Sequence, residues 1–427
     1  MKHPVAMNQT PQPPKRPRPS PVPRTTSPRI SALLEARNSG YLTDQDLSTQ
    51  ISHLMHQLPL LETSKPNHSI VTFIYAQTEP LESVLLFANR LTDETNLEAT
   101  LLEKIPATPY WYASFELENN WRASYCFLPT PQGQQPAWLS STHHPQLRAA
   151  LDAGQADPAN PRHCPNRGGN LLSVVELPQA PNAPYPADYR VPYQPYWNTY
   201  TPQKLHPDQG ALDYELLPIG VPTDTSPLFI IFDGEIWSHQ GLPAASAQAV
   251  KDEKLQDHYL LLIHSGGREQ RWKQLGQDSP LLAEIATGLL PHLAHTYAIR
   301  LRPERTVLVG QSLGALAALT GVLTYPQIFG IALSQSASLW NPSAEQALEK
   351  ARSTLPPSQR QKIRLYLECG TQEWVLLEPH QDFVQAAHTA GIDAQLTTYN
   401  GGHDYACWRN SLVGHLIQIF PAPQNES

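Results

Sequence analysis

Cysteine is scarce and scattered in this chain: Cys126, Cys164, Cys369 and Cys407 are the only four among 427 residues. No CxxC spacing occurs, which removes zinc knuckles and dithiol redox couples. So few thiols in so long a chain also cannot form the disulfide framework of a small secreted fold. They read as ordinary thiols in a reducing compartment. No run approaches the roughly 18 apolar residues of a membrane span. The opening stretch, MKHPVAMNQTPQPPKRPRPS, lacks the apolar segment of a signal peptide. Charge is thin as well: 16% charged residues and a net charge of −8 leave no basic field of the kind nucleic acid requires. The expectation is a soluble, cytoplasmic protein that binds neither membrane nor nucleic acid and holds no metal or resident cofactor. Oligomeric state is left open.

What is abundant is proline, with 43 residues, beside a hydrophobic content of 40% that supports folded domains. A chain of this length predicts two domains. Residues 1–30 are Pro-rich and basic, with Lys15, Arg16, Arg18 and Arg24, and should stay disordered. From Ile30 to Leu61, apolar residues recur at helical spacing and predict two short helices. From His68, the runs HSIVTFIYAQ, ESVLLFANR, YWYASFELENN and RASYCFLP are short, β-branched and aromatic, and predict a small all-β sandwich. Residues 130–200, rich in proline, read as a boundary with a few edge strands. After Pro227 the texture changes again. PLFIIFDG, DHYLLLIHSG, ERTVLVGQS, FGIALSQSAS and KIRLYLECG suit strands buried on both faces, and helical stretches separate them. That alternation predicts an α/β domain with a largely parallel sheet.

One of those strands carries a chemical signature. VLVGQSLGALAAL holds Gly310-Gln311-Ser312-Leu313-Gly314, a G-x-S-x-G pattern where a strand turns sharply into a helix. Such a bend lifts a serine hydroxyl clear of the sheet and leaves the Leu313 N–H facing a developing oxyanion, with the helix dipole behind it. Ser312 is therefore the candidate nucleophile. A strand–helix turn with a bland serine is the alternative. A hydroxyl needs a base, and in this chain order the acid and then the histidine follow the nucleophile. His403, in TTYNGGHDYACW, sits behind a Gly401-Gly402 turn and is the candidate base. Glu373, three residues beyond the strand end at Gly370, is the candidate acid that would fix the imidazole tautomer, with Asp382 and Asp404 as rivals. The second oxyanion donor is expected from the loop after FIIFDGEIW, at Gly234 or Glu235.

In order along the chain, FDGEIW, VLVGQSLGALAAL, LSQSASLW, LECGTQEW and GGHDYACWRNSL resemble the enterochelin (enterobactin) esterase family. GGHDxxCWR is the most specific element, because a generic esterase has no reason to keep Cys407, Trp408 and Arg409. The resemblance covers roughly Ile70 to Leu416. It implies an α/β-hydrolase, a parallel-rich sheet flanked by helices, preceded by a lid-like β-sandwich. The expected division is a disordered tail over 1–30, a helical lead-in and sandwich over 31–185, and the catalytic domain over 186–427. It further implies Ser312 as nucleophile, His403 as base and Glu373 at the acid position. The substrate implied is a ferric or iron-free catecholate siderophore whose ester bonds are hydrolysed in the cytoplasm, easing iron release.

A ferric tris-catecholate carries about three negative charges, so guanidinium groups belong nearby. Arg271 is retained from a family motif, and Arg268 and Arg409 are further candidates. Trp237, Trp340 and Trp408 are candidate stacking surfaces for catechol rings, against a core role for each. Gln274, His264 and Gly288 depart from the family's pattern on the substrate side. They keep open an esterase or acyltransferase of the same fold acting on a different ester; a siderophore-binding or scaffold protein with a vestigial elbow is a separate alternative.

Overall fold

Among the described residues, short strands form three sheets, two of which face each other and a third whose central strands are buried on both faces. The computed structural model describes residues 13–14, 16–139, 144–191, 193–201, 211–276 and 280–423. The first sheet contains β1 (Arg24–Thr25), β2 (Leu60–Thr63), β3 (His68–Ala76), β5 (Glu103–Lys104) and β6 (Tyr110–Glu118). The second contains β4 (Leu81–Ala88), β7 (Arg122–Pro131), β8 (His163–Pro165) and β9 (Leu171–Glu176). Because side chains alternate along a strand, one face of each sheet presents its apolar set to the other. Val71 and Phe73 of β3 meet Val84 and Leu86 of β4, with Phe115 of β6 and Tyr125 and Phe127 of β7 completing the core. This is a sandwich, built from the four runs read as strands above.

Helices close its outer faces. Pro28–Asn38 and Asp44–Leu54 are the two expected from the lead-in, the first capped by Ser27 and the second by a Thr43/Asp46 capping box. Ile30, Leu47 and Ile51 pack against Leu60, Ile74 and Tyr112 on the first sheet. The opposite face is covered by helix His144–Asp152, whose Leu147 and Leu151 pack on Leu85, Phe87 and Cys126. Within 130–200 only edge strands were expected. Two leucines at i and i+4 among prolines give too weak a periodicity to reveal a helix that the sheet surface stabilises.

The N-terminal segment also departs from expectation. Residues 1–12 and Lys15, part of the tail read as disordered, lie outside the described residues. The described remainder is held on the body: β1 pairs antiparallel with β6, and the Arg18 N–H donates to Asp93 at 3.0 Å. Hydrogen bonds of arginine and backbone supply what the apolar content could not.

Among the described residues, the third sheet has eight strands: β10 (Asn198–Tyr200), β11 (Leu212–Ile219), β12 (Leu228–Ile231), β13 (His258–Ile263), β14 (Thr306–Gln311), β15 (Ile331–Gln335), β16 (Arg364–Gly370) and β17 (Asp393–Tyr399). Their spatial order is β10-β11-β13-β12-β14-β15-β16-β17. The first two pairings are antiparallel and the rest parallel. Leu228, Ile230 and Leu308 face a layer that includes helices Leu313–Thr324, Ser343–Thr354 and Leu377–Thr389. Phe229, Ile231, Val307 and Val309 face Gly234–His239, Leu242–Lys251 and Tyr405–Ile419. This is the α/β-hydrolase arrangement, in which ligands gather beyond the carboxyl ends of the strands. Among the described residues, no helix is long and apolar enough to cross a membrane.

Candidate functional site

Ser312 caps the helix Leu313–Thr324 directly after β14, with φ 59° and ψ −117°, a conformation that side-chain-bearing residues rarely adopt. The turn is possible because its neighbours are glycines. A Cβ on Gly310 would lie 2.2 Å from the Gly314 carbonyl carbon, and one on Gly314 would press on Phe232 at 3.2 Å. Leu313 is the first helical residue, so its N–H has no partner inside the helix. The Ser312 hydroxyl pairs with the Ser338 hydroxyl at 3.3 Å.

His403 Nδ1 lies 2.7 Å from Glu373 Oε2. Glu373 is fully buried, and its other oxygen accepts from the Ser336 hydroxyl at 2.6 Å and the Gly370 N–H at 2.9 Å. Burial alone would raise this carboxyl, but the field of His403, its hydrogen bond and the Arg90 guanidinium outweigh it and hold the group down at about 2. The rivals stand elsewhere. Asp404 accepts from the N–H groups of Ser124 and Ala406, capping helix Tyr405–Ile419, and burial raises its carboxyl. Asp382 is exposed on helix Leu377–Thr389.

The sandwich reaches this point directly. Asn89 Nδ2 donates to the His403 carbonyl at 3.0 Å, the Arg122 N–H to the Asn400 carbonyl at 3.1 Å, and the Ser124 N–H to Asp404 at 2.5 Å. This explains the glycines before the histidine. A Cβ on Gly402 would fall 2.1 Å from Arg90 Cγ, and one on Gly401 would fall 2.9 Å from the Arg122 carbonyl.

Two cavities meet at Ser312 and His403, both of which line each of them. The first, about 290 Å³, is walled by Trp272, Trp340 and Trp374, with Arg90 and Arg16 at its N-terminal side. The second, about 180 Å³, runs toward Arg167, Arg268 and Trp408. Leu313 lines the first cavity. Gly234 and Glu235 line neither: Gly234 is pressed against β13, where a Cβ would lie 2.7 Å from Leu262, and the Glu235 carboxylate accepts from the Ser265 N–H.

The expected ligand residues separate in the same way. Arg271 lines both cavities, yet its Nε and Nη2 grip the Asp233 carboxylate at 2.7–3.0 Å, where Arg167 also donates. Burial opposes ionisation of Asp233, but the two guanidiniums outweigh it and keep that carboxyl far below its usual range. Arg271 thus acts on the loop after β12 and is not a free cation. Arg268 is paired with Asp152 at 3.2 Å, and Arg409 donates to the His163 carbonyl and lines neither cavity. Trp237 is wholly buried with its Nε1 on Gln311, a core residue. Trp408 is buried edge-on to His403, ring centroids 4.8 Å apart, and donates to the Ser336 hydroxyl at 2.9 Å. Trp340 does wall the first cavity, its ring 6.2 Å from that of Trp272.

Sequence reasoning missed Ser336, Ser338, Asn89, Arg90 and Trp374 as site residues. Ser336, Ser338 and Trp340 alternate along LSQSASLW, a spacing of two that could have signalled a shared face. Among the described residues, no cluster of His, Cys, Asp and Glu could hold a metal ion.

Two family models match the chain: "Enterochelin esterase, N-terminal" over residues 70–185 and Esterase over residues 214–419. An iron(III) salmochelin esterase of Escherichia coli O6:H1 is 31% identical over 366 residues, covering 80% of this chain and 85% of that protein. An iron(III) enterobactin esterase of the same organism is 27% identical over 357 residues, covering 80% and 87%. The crystal structure of an enterobactin esterase from Shigella flexneri, solved in the presence of enterobactin, superposes with a TM-score of 0.70. That pair is 25% identical, with 84% of this chain and 95% of the other covered.

Proposed function

The chain belongs to the enterochelin esterase family of carboxylic ester hydrolases, and from that membership we propose that it hydrolyses the ester bonds of a catecholate siderophore, ferric or iron-free, with Ser312 as nucleophile. The observation that carries this reading is that Ser312 and His403 line one cavity while His403 Nδ1 meets a buried, ionised Glu373 at 2.7 Å.

In the proposed reaction, His403 Nε2 takes the Ser312 proton as Oγ bonds to the ester carbonyl carbon. The carbonyl oxygen becomes the oxyanion and is met by the Leu313 N–H at the helix start. Glu373 keeps the remaining ring proton on Nδ1 and stabilises the imidazolium. Collapse breaks the ester C–O bond, and His403 returns the proton to the leaving alkoxide. Water then repeats the sequence on the acyl-serine: its proton passes to His403, its oxygen to the carbonyl carbon, and Ser312 leaves reprotonated. Each cut of a serine trilactone opens the scaffold that preorganises three catecholates around iron, so the chelate loosens. Four free, buried cysteines suit a reducing compartment and support a cytoplasmic setting.

The test is incubation with ferric and iron-free catecholate trilactones, products resolved by mass spectrometry, alongside labelling by a fluorophosphonate. Native protein should open the lactones and take the label. Ser312→Ala should lose both, with a rate lowered by several orders of magnitude and an unchanged melting profile. Turnover of p-nitrophenyl esters with the catecholate lactones left intact would refute the substrate class.

A further inference from the structure

Resting on the catecholate ester reading above, we infer that the described N-terminal residues Pro13, Pro14, Arg16 and Arg18, together with Arg90 and Trp374, form a recognition subsite for one anionic catecholate arm of the substrate. The segment precedes the residues matched by either family model, which begin at 70. It nevertheless belongs to the cavity of Ser312 and His403, whose wall includes Pro13, Pro14 and Arg16.

Its attachment is specific. Trp374 Nε1 donates to the Arg16 carbonyl at 3.1 Å, the Arg18 N–H donates to Asp93 at 3.0 Å, and Arg18 Nη2 donates to Gln372 Oε1 at 2.7 Å. Arg18 Nη1 also donates to the Arg90 carbonyl. Prolines fix φ, so the segment loses little freedom by lying along the wall. Arg18 spends its guanidinium on these bonds. It is the pin, and Arg16 beside it is the residue that faces the cavity.

Charge pairing then singles out the cations. Arg148 is tied to Glu94 and Asp152, Arg271 to Asp233 and Arg268 to Asp152. Among the described residues, Arg16 and Arg90 have no carboxylate within ion-pair distance, although both line the first cavity. Arg90 lies 4.9 Å over the Trp374 ring, and Trp374 lines the same wall. A catecholate arm is a flat ring with two adjacent anionic oxygens. A guanidinium fork matches the oxygens and an indole edge or face matches the ring. The field of Arg90 reaches the buried Glu373 without an ion pair, and the paired arginines offer less, because a carboxylate already holds each of their guanidiniums.

The experiment measures equilibrium binding of a ferric tris-catecholate trilactone to full-length Ser312→Ala protein, where nothing is turned over. Adding Arg16→Glu should weaken binding by about tenfold or more and flatten its dependence on ionic strength, while Arg16→Lys keeps most of the affinity. Arg18→Ala, which unpins the segment, should weaken binding by roughly threefold to tenfold. Arg16 is exposed, so the loss on Arg16→Glu would not trace to misfolding. Arg16→Glu protein that binds as tightly as its parent overturns the subsite, even if the native enzyme cleaves the lactone. Binding that depends on Arg16 in a protein that leaves the esters intact keeps the subsite and overturns the hydrolysis reading.

Discussion

Replacing Glu373 by glutamine keeps the size of the side chain and removes its charge, and the consequence can be followed atom by atom. Oε1 accepts from the Ser336 hydroxyl and the Gly370 N–H, while Oε2 meets His403 Nδ1. The Gly370 N–H can only donate, and the Ser336 hydroxyl, which accepts from Trp408 Nε1, gives its hydrogen to residue 373 at 2.6 Å. Both partners of Oε1 are therefore donors. The amide must keep its carbonyl oxygen on that side and turn its NH2 toward Nδ1, which then has to accept. The ring proton moves to Nε2, the nitrogen proposed to take the Ser312 proton. The substitution thus selects the wrong tautomer and leaves a forming imidazolium with no counter-charge. Breaking one partner of a buried ion pair costs about 3–5 kcal/mol, which at about 1.4 kcal/mol per factor of ten is a loss of roughly 10²–10⁴ in kcat/KM. The assay is steady-state cleavage of a catecholate trilactone together with the rate of fluorophosphonate labelling; both should fall, because both need an activated Ser312. Activity within about threefold of native would refute the assignment of the acid to Glu373.

Two further outcomes are expected. His258 is buried with Nε2 on the Ser246 hydroxyl at 2.9 Å and Nδ1 on the Gln256 carbonyl at 2.8 Å, and burial pushes its imidazole down to about 4. Below its ordinary value of 6.5 the unfolded chain takes up a proton that the folded chain refuses. Stability should thus fall as pH drops from 6.5 toward 4, by about 2 kcal/mol between pH 7.5 and 5. Urea unfolding at the two pH values should show a smaller difference for His258→Gln, and equal differences would refute the assignment. Gly402→Ala would drive a Cβ into Arg90 and Asn89 and pull the Asn89 amide from the His403 carbonyl. A displacement near 1 Å at the base should lower kcat by roughly 10–100-fold; kinetics equal to native would show that the loop contact has no part in positioning the base.

The features legible in the sequence are those fixed by neighbouring residues. Gly310 announces the turn at Ser312 because the clash it avoids, with Gly314 and Ala315, lies within five residues, whereas the room Gly314 leaves is for the distant Phe232. Glu373 and His403 follow because each comes just after a strand end, β16 or β17, and parallel strands end on one side of the sheet. Charge state was not legible. Whether Arg271 is a free cation depends on Asp233, 38 positions away, and the sequence holds no mark of that pairing. Trp237 and Trp340 look alike as aromatic residues after a strand. The difference is that Gln311 offers the Trp237 indole a buried acceptor, which draws it into the core. The segment around Arg16 was unreadable for a related reason. Composition reports how much apolar surface a stretch can bury, and this one is held by hydrogen bonds to Trp374, Asp93 and Gln372.

Those long-range bonds bear on why the sandwich and the hydrolase share one chain. The loop carrying His403 is tied on its outer side to the sandwich through Asn89, Arg122 and Ser124, and Asn400 Nδ2 donates to Glu118 and Asn120 at 2.8 and 2.7 Å. The proposed base is therefore held from two sides, by Glu373 at Nδ1 and by the Asn89 amide at its carbonyl. A sandwich that only covered the cavity would have no need of hydrogen bonds to the loop that bears the base. Here the same loop at Asn89 and Arg90 both touches His403 and walls the cavity, so one loop joins the cavity wall to the support of His403. The cavity wall and the proposed base are thus joined through residues more than 300 positions apart.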